Sequence, residues 1–330
     1  MEQEKRRPWR RWVVLVLMIV GFIVGGIIVP VQPEITVAAE KLIEEPIVEN
    51  FFGLGPFYLV NTLPTLVVTI ILLGIIAYFT NRSLKQSART DLVPHGIGNL
   101  MEAFLELLYN LTEGSAGAKW AKAIFPWFAT IMIYVLFANL LKLIPGFESI
   151  GVLHKVAQGH PAPGGILMPG EIENGYILAP FFRGISVDLN FTASLAIIAV
   201  IAIQYIGFRA QGFGYLSKFF NFRTMFKTPF FGAMDFLVGL LELISELSKI
   251  LSFAFRLFGN MFAGVVLVAI VAGLLGKISI LPAMIMMFEL FVGIIQAFVF
   301  GMLTMVFMAQ ATQGHGEEEH VEANTEAHEI

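Results

Sequence analysis

The sequence contains no cysteine among its 330 residues, which excludes disulfide bonds, a thiol nucleophile and a cysteine-ligated metal site. Charged residues are also scarce, at 14% of the chain, whereas about 25% is usual for a soluble domain. Hydrophobic residues make up 57% of the chain, and the mean hydropathy is +0.77. The net charge of −4 gives no indication of nucleic-acid binding. This composition predicts several membrane spans and no large soluble domain.

Sequence motifs of common enzyme active sites are missing as well. The chain has no Walker-type loop, no zinc-protease motif and no Gly-x-Ser-x-Gly, so we expect no catalysis by this chain alone and no cofactor or metal. His315 and His320 in the tail, residues 314–330, are the candidate metal ligands. Because this tail also holds six glutamates, we favour a solvated acidic tail.

Six long apolar segments predict an all-α integral membrane protein. The first, residues 12–31, follows five basic residues and is favoured as an uncleaved signal-anchor helix, although Val37-Ala38-Ala39 would suit a signal peptidase. The other five cover roughly residues 58–80, 120–144, 185–208, 230–275 and 278–310. We divide the chain into an N-terminal segment with an outer linker (1–50), a membrane domain (51–311) and an acidic tail (312–330).

The connections between segments predict the orientation. Lysine and arginine are concentrated in alternate connections, which places these connections and both termini in the cytoplasm. The connection 145–180 carries only Lys155 as a cation and is expected to face outward. Residues 96–113 combine an apolar helical face with a polar one, and this pattern predicts either an amphipathic helix in the cytoplasmic interface or a helix packed on the bundle. The polar face comprises Asn99, Glu102, Glu106, Asn110 and Glu113.

The last two segments are too long for simple spans. A helix over residues 230–275 would measure roughly 69 Å at 1.5 Å per residue, against a hydrocarbon core about 30 Å thick. Proline is absent from residues 230–281, so no proline break is available. The segment is therefore expected to tilt steeply or to bend at its glycines, and to form a hairpin of two long tilted helices with the last segment.

Arg256 lies within this apolar stretch. A guanidinium keeps its charge at any accessible pH, and a charge at bilayer depth costs at least a few kcal/mol, so the residue is a candidate functional site. Other polar residues share its helical face, because they recur at intervals of seven or follow one turn later. These residues are Asp235, Glu242, Lys249 and Asn260.

The last segment carries a second set of polar residues, Glu289, Gln296 and Thr304. With the orientation above, Glu242, Ser245 and Glu246 approach Arg256 from the cytoplasmic side, whereas Glu289 and Gln296 approach it from the outer side. A fixed cation between two such half-paths would stop a proton leak. This arrangement predicts ion or proton handling.

Other functions remain open at this point. A secondary transporter could bind a substrate anion at Arg256, although the chain lacks the two related halves and broken helices of that class. A membrane anchor could hold Arg256 in a structural ion pair. Lys249 could tether Glu246 or Glu242 as a neutral pair, and Asn260 and Gln296 could simply bond two helices together.

The run Leu251-Ser-Phe-Ala-Phe-Arg-Leu-Phe-Gly-Asn-Met-Phe-Ala-Gly264 closely resembles the signature of the ATP synthase a subunit family. Three shorter matches occur in the expected order, and the resemblance covers roughly residues 50–311. These matches are Asn139-Leu-Leu-Lys-Leu-Ile-Pro-Gly146, Val187-Asp-Leu-Asn-Phe-Thr192 and Gln296-Ala-Phe-Val-Phe-Gly-Met-Leu-Thr304.

The resemblance implies a proton-channel stator that forms two offset half-channels with a ring of c subunits. It implies that Arg256 faces the carboxylates of the ring, that Asn260, Glu289 and Gln296 line the outer half-channel, and that Glu242 and Ser252 belong to the cytoplasmic one. The implied partners are the c-subunit ring, the b subunits of the peripheral stalk, the remaining ATP synthase subunits and the lipid bilayer.

Three positions depart from the family pattern. Val265 stands where many members carry Glu or His, which leaves Glu289 as the expected outer relay acid. Lys142 replaces a residue that is usually small or acidic, and Ile250 replaces a frequent proline. The departures affect the expected outer path and leave the role of Arg256 unchanged.

Overall fold

A computed structural model of the chain describes residues 38–43, 45–50, 53, 55–87, 96–144, 147, 151–156, 175–219, 229–275 and 281–313. Five helices in these residues are long and apolar enough to cross a membrane. The prediction of an all-α integral membrane protein is therefore confirmed. The first apolar segment, 12–31, and the tail, 314–330, lie outside the described residues.

Helix α1, Thr62–Ser87, corresponds to the predicted segment at 58–80 but begins and ends later. Its inward side carries the buried threonines Thr62, Thr65 and Thr69, which remain compatible with an apolar span because their hydroxyls find partners. The Thr62 hydroxyl donates to Oδ2 of Asp188 at 3.0 Å, and the backbone N–H of Arg183 donates to Oγ1 of Thr65 at 3.1 Å. These two bonds hold the start of α1 against the backbone that precedes the third helix.

Helix α2, Ile97–Leu141, joins the predicted amphipathic helix to the third apolar segment. Gly117 separates the two parts with φ 71° and ψ 159°, a conformation that glycine adopts without a steric penalty. The polar face predicted for residues 96–113 is exposed, and Leu108 on the opposite face is buried in the core. The first part of α2 is thus an amphipathic helix packed on the bundle, and its place in the membrane interface stays a prediction.

The predicted outward connection contains a β-hairpin that the sequence did not indicate. Strand β1, Gly151–Val156, pairs antiparallel with β2, Gly175–Pro180, with Gly151 opposite Pro180. A buried 3-10 turn, Ile185–Val187, follows the hairpin. Helix α3, Leu189–Gln211, then begins at Asp188, whose Oδ1 accepts the Asn190 N–H at 2.9 Å and caps the helix.

The two long C-terminal helices are present as predicted. Helix α4 runs over Pro229–Leu275 as 47 continuous residues, and α5 runs over Leu281–Thr312 as 32 residues. They pack against each other, and both also contact α3. The predicted hairpin is confirmed, whereas its tilt in a membrane stays a prediction.

The core lies between α3, α4, α5 and mainly the part of α2 that follows Gly117, with Leu108 added from the part before it. Small residues allow close helix approach, as is usual in membrane bundles. A Cβ on Gly301 of α5 would lie 2.8 Å from Cβ of Met132 and 3.1 Å from a ring carbon of Phe128, so α2 and α5 touch here. The 3-10 turn 185–187 contacts α1, α2, α3 and α4, and it therefore closes one end of the bundle, called the hairpin end below.

Candidate functional site

Arg256 lies near the middle of α4 and is half-buried. Its Nη2 donates a hydrogen bond to Oγ of Ser252, one turn earlier, at 3.2 Å. Among the residues that the structure describes, no carboxylate pairs with its guanidinium. On the adjoining outer surface of α4, Leu251 and Phe255 are exposed. The cation therefore stands at the edge of an apolar surface without an internal counter-charge in the described part of the chain.

One turn beyond Arg256, a hydrogen bond connects the two long helices. Nδ2 of Asn260 on α4 donates to Oε1 of Gln296 on α5 at 2.7 Å. Gln296 is buried, and its Nε2 has no partner among the described residues. A buried amide N–H without a partner is normally satisfied by water. The pair thus joins the helices and leaves one amide nitrogen, Nε2 of Gln296, available to a water molecule.

One further turn toward the hairpin end, Glu289 of α5 meets Gly264 of α4. A Cβ on Gly264 would overlap Oε1 of Glu289, so the missing side chain of Gly264 creates the space for the carboxylate. Nζ of Lys142 lies 3.4 Å from Oε1 of Glu289 and 3.4 Å from the carbonyl oxygen of Met261. The side chains of Lys142 and Glu289 are only 3% and 11% exposed, so this is a buried ion pair.

A second contact explains why the end of α2 reaches this position. Nδ2 of Asn139 donates to the carbonyl oxygen of Gly293 at 3.0 Å, and a Cβ on Gly293 would lie 3.2 Å from Cβ of Asn139. Asn139 and Lys142 are almost one turn apart on α2, and Gly293 and Glu289 are about one turn apart on α5. The register that seats Asn139 on Gly293 therefore also brings Lys142 to Glu289.

On the other side of Arg256, toward the end opposite the hairpin, α4 carries a second ion pair. Nζ of Lys249 lies 2.9 Å from Oε1 of the buried Glu246, and it also lies 4.7 Å from the ring centre of Phe307. The interpretation of Lys249 as a tether is confirmed, with Glu246 as its partner. Glu242 is half-buried and precedes Arg256 by about 21 Å of helix, at 1.5 Å per residue. The side chain of Asp235 lies outside the described residues.

The structure thus assembles most of the predicted residues into one line. Ser252, Arg256 and Asn260 follow one another along α4, and Gln296 and Glu289 continue the line on α5. Glu242 lies farther along α4 and is not in contact with this group. We call the line from Ser252 to Glu289 the polar ladder. Its amides can hydrogen-bond water and its carboxylate can take up and release a proton, whereas its guanidinium keeps a fixed charge.

Lys142 is the functional candidate that the sequence analysis did not assign. From the sequence it is only a departure from a family pattern, without a partner. A usable signal was present, because an ionisable residue inside an apolar segment needs a counter-charge, and Glu289 is an acid in another apolar segment. What the sequence could not supply was the register that brings the two helices together.

Comparison with known proteins shows how this chain is related to others. The family model described as ATP synthase A chain matches residues 62–309, which include the polar ladder, Glu242 and Lys142. An ATP synthase subunit a of Campylobacter jejuni is 32% identical over 248 residues, covering 73% of this chain and 86% of that protein. An ATP synthase subunit a of Helicobacter pylori is 28% identical over 250 residues, covering 74% of this chain and 90% of that protein.

Proposed function

The chain belongs to the ATP synthase A chain family, and we propose that it is the stator subunit of the Fo proton channel. It forms two offset half-channels at its interface with a ring of c subunits, and it couples proton flow to the rotation of that ring and to ATP synthesis. The chain is not an enzyme on its own in this proposal, since ATP is made by a soluble sector that other subunits form.

The observation that carries the proposal is the state of Arg256. This cation is half-buried in an apolar helix, its described contact is the neutral Ser252, and no carboxylate among the described residues pairs with it. A charge at membrane depth is stabilised by a counter-charge. An ionised carboxylate on each c subunit supplies that counter-charge as it passes, and the exposed apolar side chains beside Arg256 suit a contact with apolar ring helices.

The mechanism follows from the fixed charge of Arg256. The guanidinium attracts each arriving carboxylate in its ionised form and thereby forces its proton into one half-channel. The same charge repels free protons and separates the two half-channels. Asn260, Gln296 and Glu289 serve the outer half-channel, and the hydrogen bond between the two amides supports this assignment. Ser252 and Glu242 serve the cytoplasmic one.

The proposal also covers the orientation of the chain in the membrane and its further partners. Both termini are cytoplasmic, the membrane domain is residues 51–311, and the membrane is the bacterial plasma membrane. The b subunits of the peripheral stalk and the other ATP synthase subunits are further partners. The amphipathic part of α2 lies along the cytoplasmic interface, where its exposed glutamates face water.

Replacing Arg256 by alanine tests the proposal in the assembled synthase, reconstituted into vesicles. We expect ATP-driven proton pumping, followed with a pH-sensitive dye, to be abolished while the complex still assembles. Arg209→Ala is the matched control, because it removes an exposed guanidinium from the last turn of α3, away from the ladder. Pumping that survives in Arg256→Ala would refute the channel function.

Two other functions give different results in the same preparation. A transporter that binds an anion at Arg256 would lose solute uptake without a defect in proton pumping. An anchor with a structural arginine would lose assembly of Arg256→Ala rather than flux. Glu289→Gln tests the outer half-channel separately. We expect the complex to assemble fully and the vesicles to take up protons more slowly. An unaltered proton flux would remove Glu289 from the path.

A further inference from the structure

Lys142 places a second fixed cation in the outer part of the ladder. Its side chain is 3% exposed, so the ammonium is not in contact with bulk water. It lies 3.4 Å from one carboxylate oxygen, Oε1 of Glu289, and 3.4 Å from one backbone oxygen, the carbonyl of Met261. The two oxygens belong to different helices, α5 and α4, and the ammonium occupies the space between them.

Close packing positions the stem of Lys142 and the carboxylate of Glu289. The stem of Lys142 lies against Gly184, where an added Cβ would be 3.0 Å from Cβ and 3.2 Å from Cδ of the lysine. The backbone at Gly184 belongs to the buried segment at the hairpin end. Gly264 holds the opposite side open for the carboxylate, because a side chain there would overlap Oε1. Because the methylene stem of Lys142 is buried and closely packed, its ammonium has little freedom to move away from Glu289.

The chemistry of the two oxygens explains what the ammonium does. A carboxylate and a backbone carbonyl, both shielded from bulk water, are the ligands that hard cations such as Na⁺ prefer. The ammonium therefore occupies the space that a metal cation would need in order to contact both oxygens. A proton needs no such space, because it bonds directly to a carboxylate oxygen. Among the described residues, Oε2 of Glu289 makes no hydrogen bond and can accept it.

From this geometry we propose that Lys142 is a specificity-determining residue, which excludes metal cations from the outer half-channel while protons pass. A hydronium ion gives its proton to Oε2 of Glu289 and becomes water, and the resulting carboxylic acid then releases its proton to the next water molecule, which becomes hydronium. The inference rests on the proposed function, since it requires that protons travel past Glu289.

The experiment compares salts in the reconstituted synthase. ATP-driven proton pumping is measured in choline chloride and in NaCl at equal ionic strength, for the wild type, Lys142→Gln and Lys142→Arg. Glutamine removes the charge but keeps an N–H donor for both oxygens, whereas arginine keeps the charge. We expect Lys142→Gln to pump several-fold more slowly in NaCl than in choline chloride. The wild type and Lys142→Arg should pump equally in both salts.

A matched control separates this effect from the loss of any buried cation. Lys249→Gln removes the ammonium of the partly buried pair with Glu246, which lies on the opposite side of Arg256. Its pumping should show no dependence on Na⁺, whatever its absolute rate. Dependence on Na⁺ in Lys249→Gln, or its absence in Lys142→Gln, would overturn the proposal.

Failure of assembly is also informative. If Lys142→Gln does not assemble, Lys142→Met takes its place in the same assay, because methionine fills much of the channel of the lysine stem without charge. If neither variant assembles, Lys142 serves folding, and the specificity role is overturned. A different result would show that the proposed proton-channel function itself is wrong. In that case the wild type would hydrolyse ATP in choline chloride without pumping protons.

Discussion

Replacing Gly264 by alanine tests whether the Glu289 carboxylate is held against α4. The added methyl group would overlap Oε1 of Glu289, which is the oxygen that lies 3.4 Å from Nζ of Lys142. The carboxylate must therefore move, and the ion pair must lengthen or break. The rest of α4 can keep its backbone, because alanine is a good helix former.

The structure gives the size of the effect. Breaking a buried ion pair by removing one partner costs about 3–5 kcal/mol, which is an upper limit here because the carboxylate is displaced and not removed. Alanine favours the helix over glycine by about 1 kcal/mol. The free energy of unfolding should therefore fall by at most roughly 2–4 kcal/mol. Gly74→Ala on α1 is the matched control, because a Cβ there meets nothing within 4 Å.

The assay is the thermal unfolding midpoint of the purified chain in detergent, combined with proton pumping in the assembled complex. Gly264→Ala should lower the midpoint and slow pumping, whereas Gly74→Ala should leave both unchanged or raise the midpoint slightly. Glu289→Asp in the Gly264→Ala background shortens the acid by one methylene and should restore part of the lost stability. A Gly264→Ala variant that equals Gly74→Ala in both measurements would show that the carboxylate does not lie against Gly264.

Two further predictions concern the helices that carry the ladder. Gly117→Ala should destabilise the chain by about 1–3 kcal/mol, because φ is 71° there and alanine is strained at a positive φ. Gly114→Ala is the control and should not destabilise the chain, because a Cβ there meets open space. Equal thermal midpoints for the two variants would contradict the break in α2. Asn260→Ala should cost about 1 kcal/mol, because it leaves the buried Gln296 without its partner. Gln296→Leu should reduce the stability less than Asn260→Ala, because the exposed Asn260 that it leaves can bond to solvent. A thermal midpoint lower in Gln296→Leu than in Asn260→Ala would disprove this reasoning.

The helices could be predicted from sequence because a spanning helix depends on a local property, the length of an apolar stretch. Residues 230–275 were predicted as one helix, and α4 runs over Pro229–Leu275. The β-hairpin was not predicted, since its six-residue strands are short and lie in a connection rich in glycine and proline. The two parts of α2 were predicted separately, because the role of Gly117 as a break inside one long helix depends on backbone angles that no sequence pattern specifies.

In the polar ladder too, some features could be predicted from the sequence and others required the structure. Ser252, Arg256 and Asn260 follow one another at four-residue intervals, so helix geometry alone aligns them on one face of α4. The same kind of pattern predicts Gln296 and Glu289 as a second polar set on α5, and the resemblance to a family implies their role in the outer half-channel. Their contacts with α4 required the structure, in which Gln296 bonds to Asn260 and Glu289 fills the space at Gly264.

The sequence by itself determined that this chain spans a membrane and that a permanent charge, Arg256, lies within an apolar helix. Both conclusions follow from composition and from the period of one helix. Only the tertiary structure decided that Lys142 pairs with Glu289, a residue 147 positions away. The physical reason is that an ion pair between helices depends on their mutual register. That register is set by contacts such as Asn139 on Gly293, which join residues far apart in the chain.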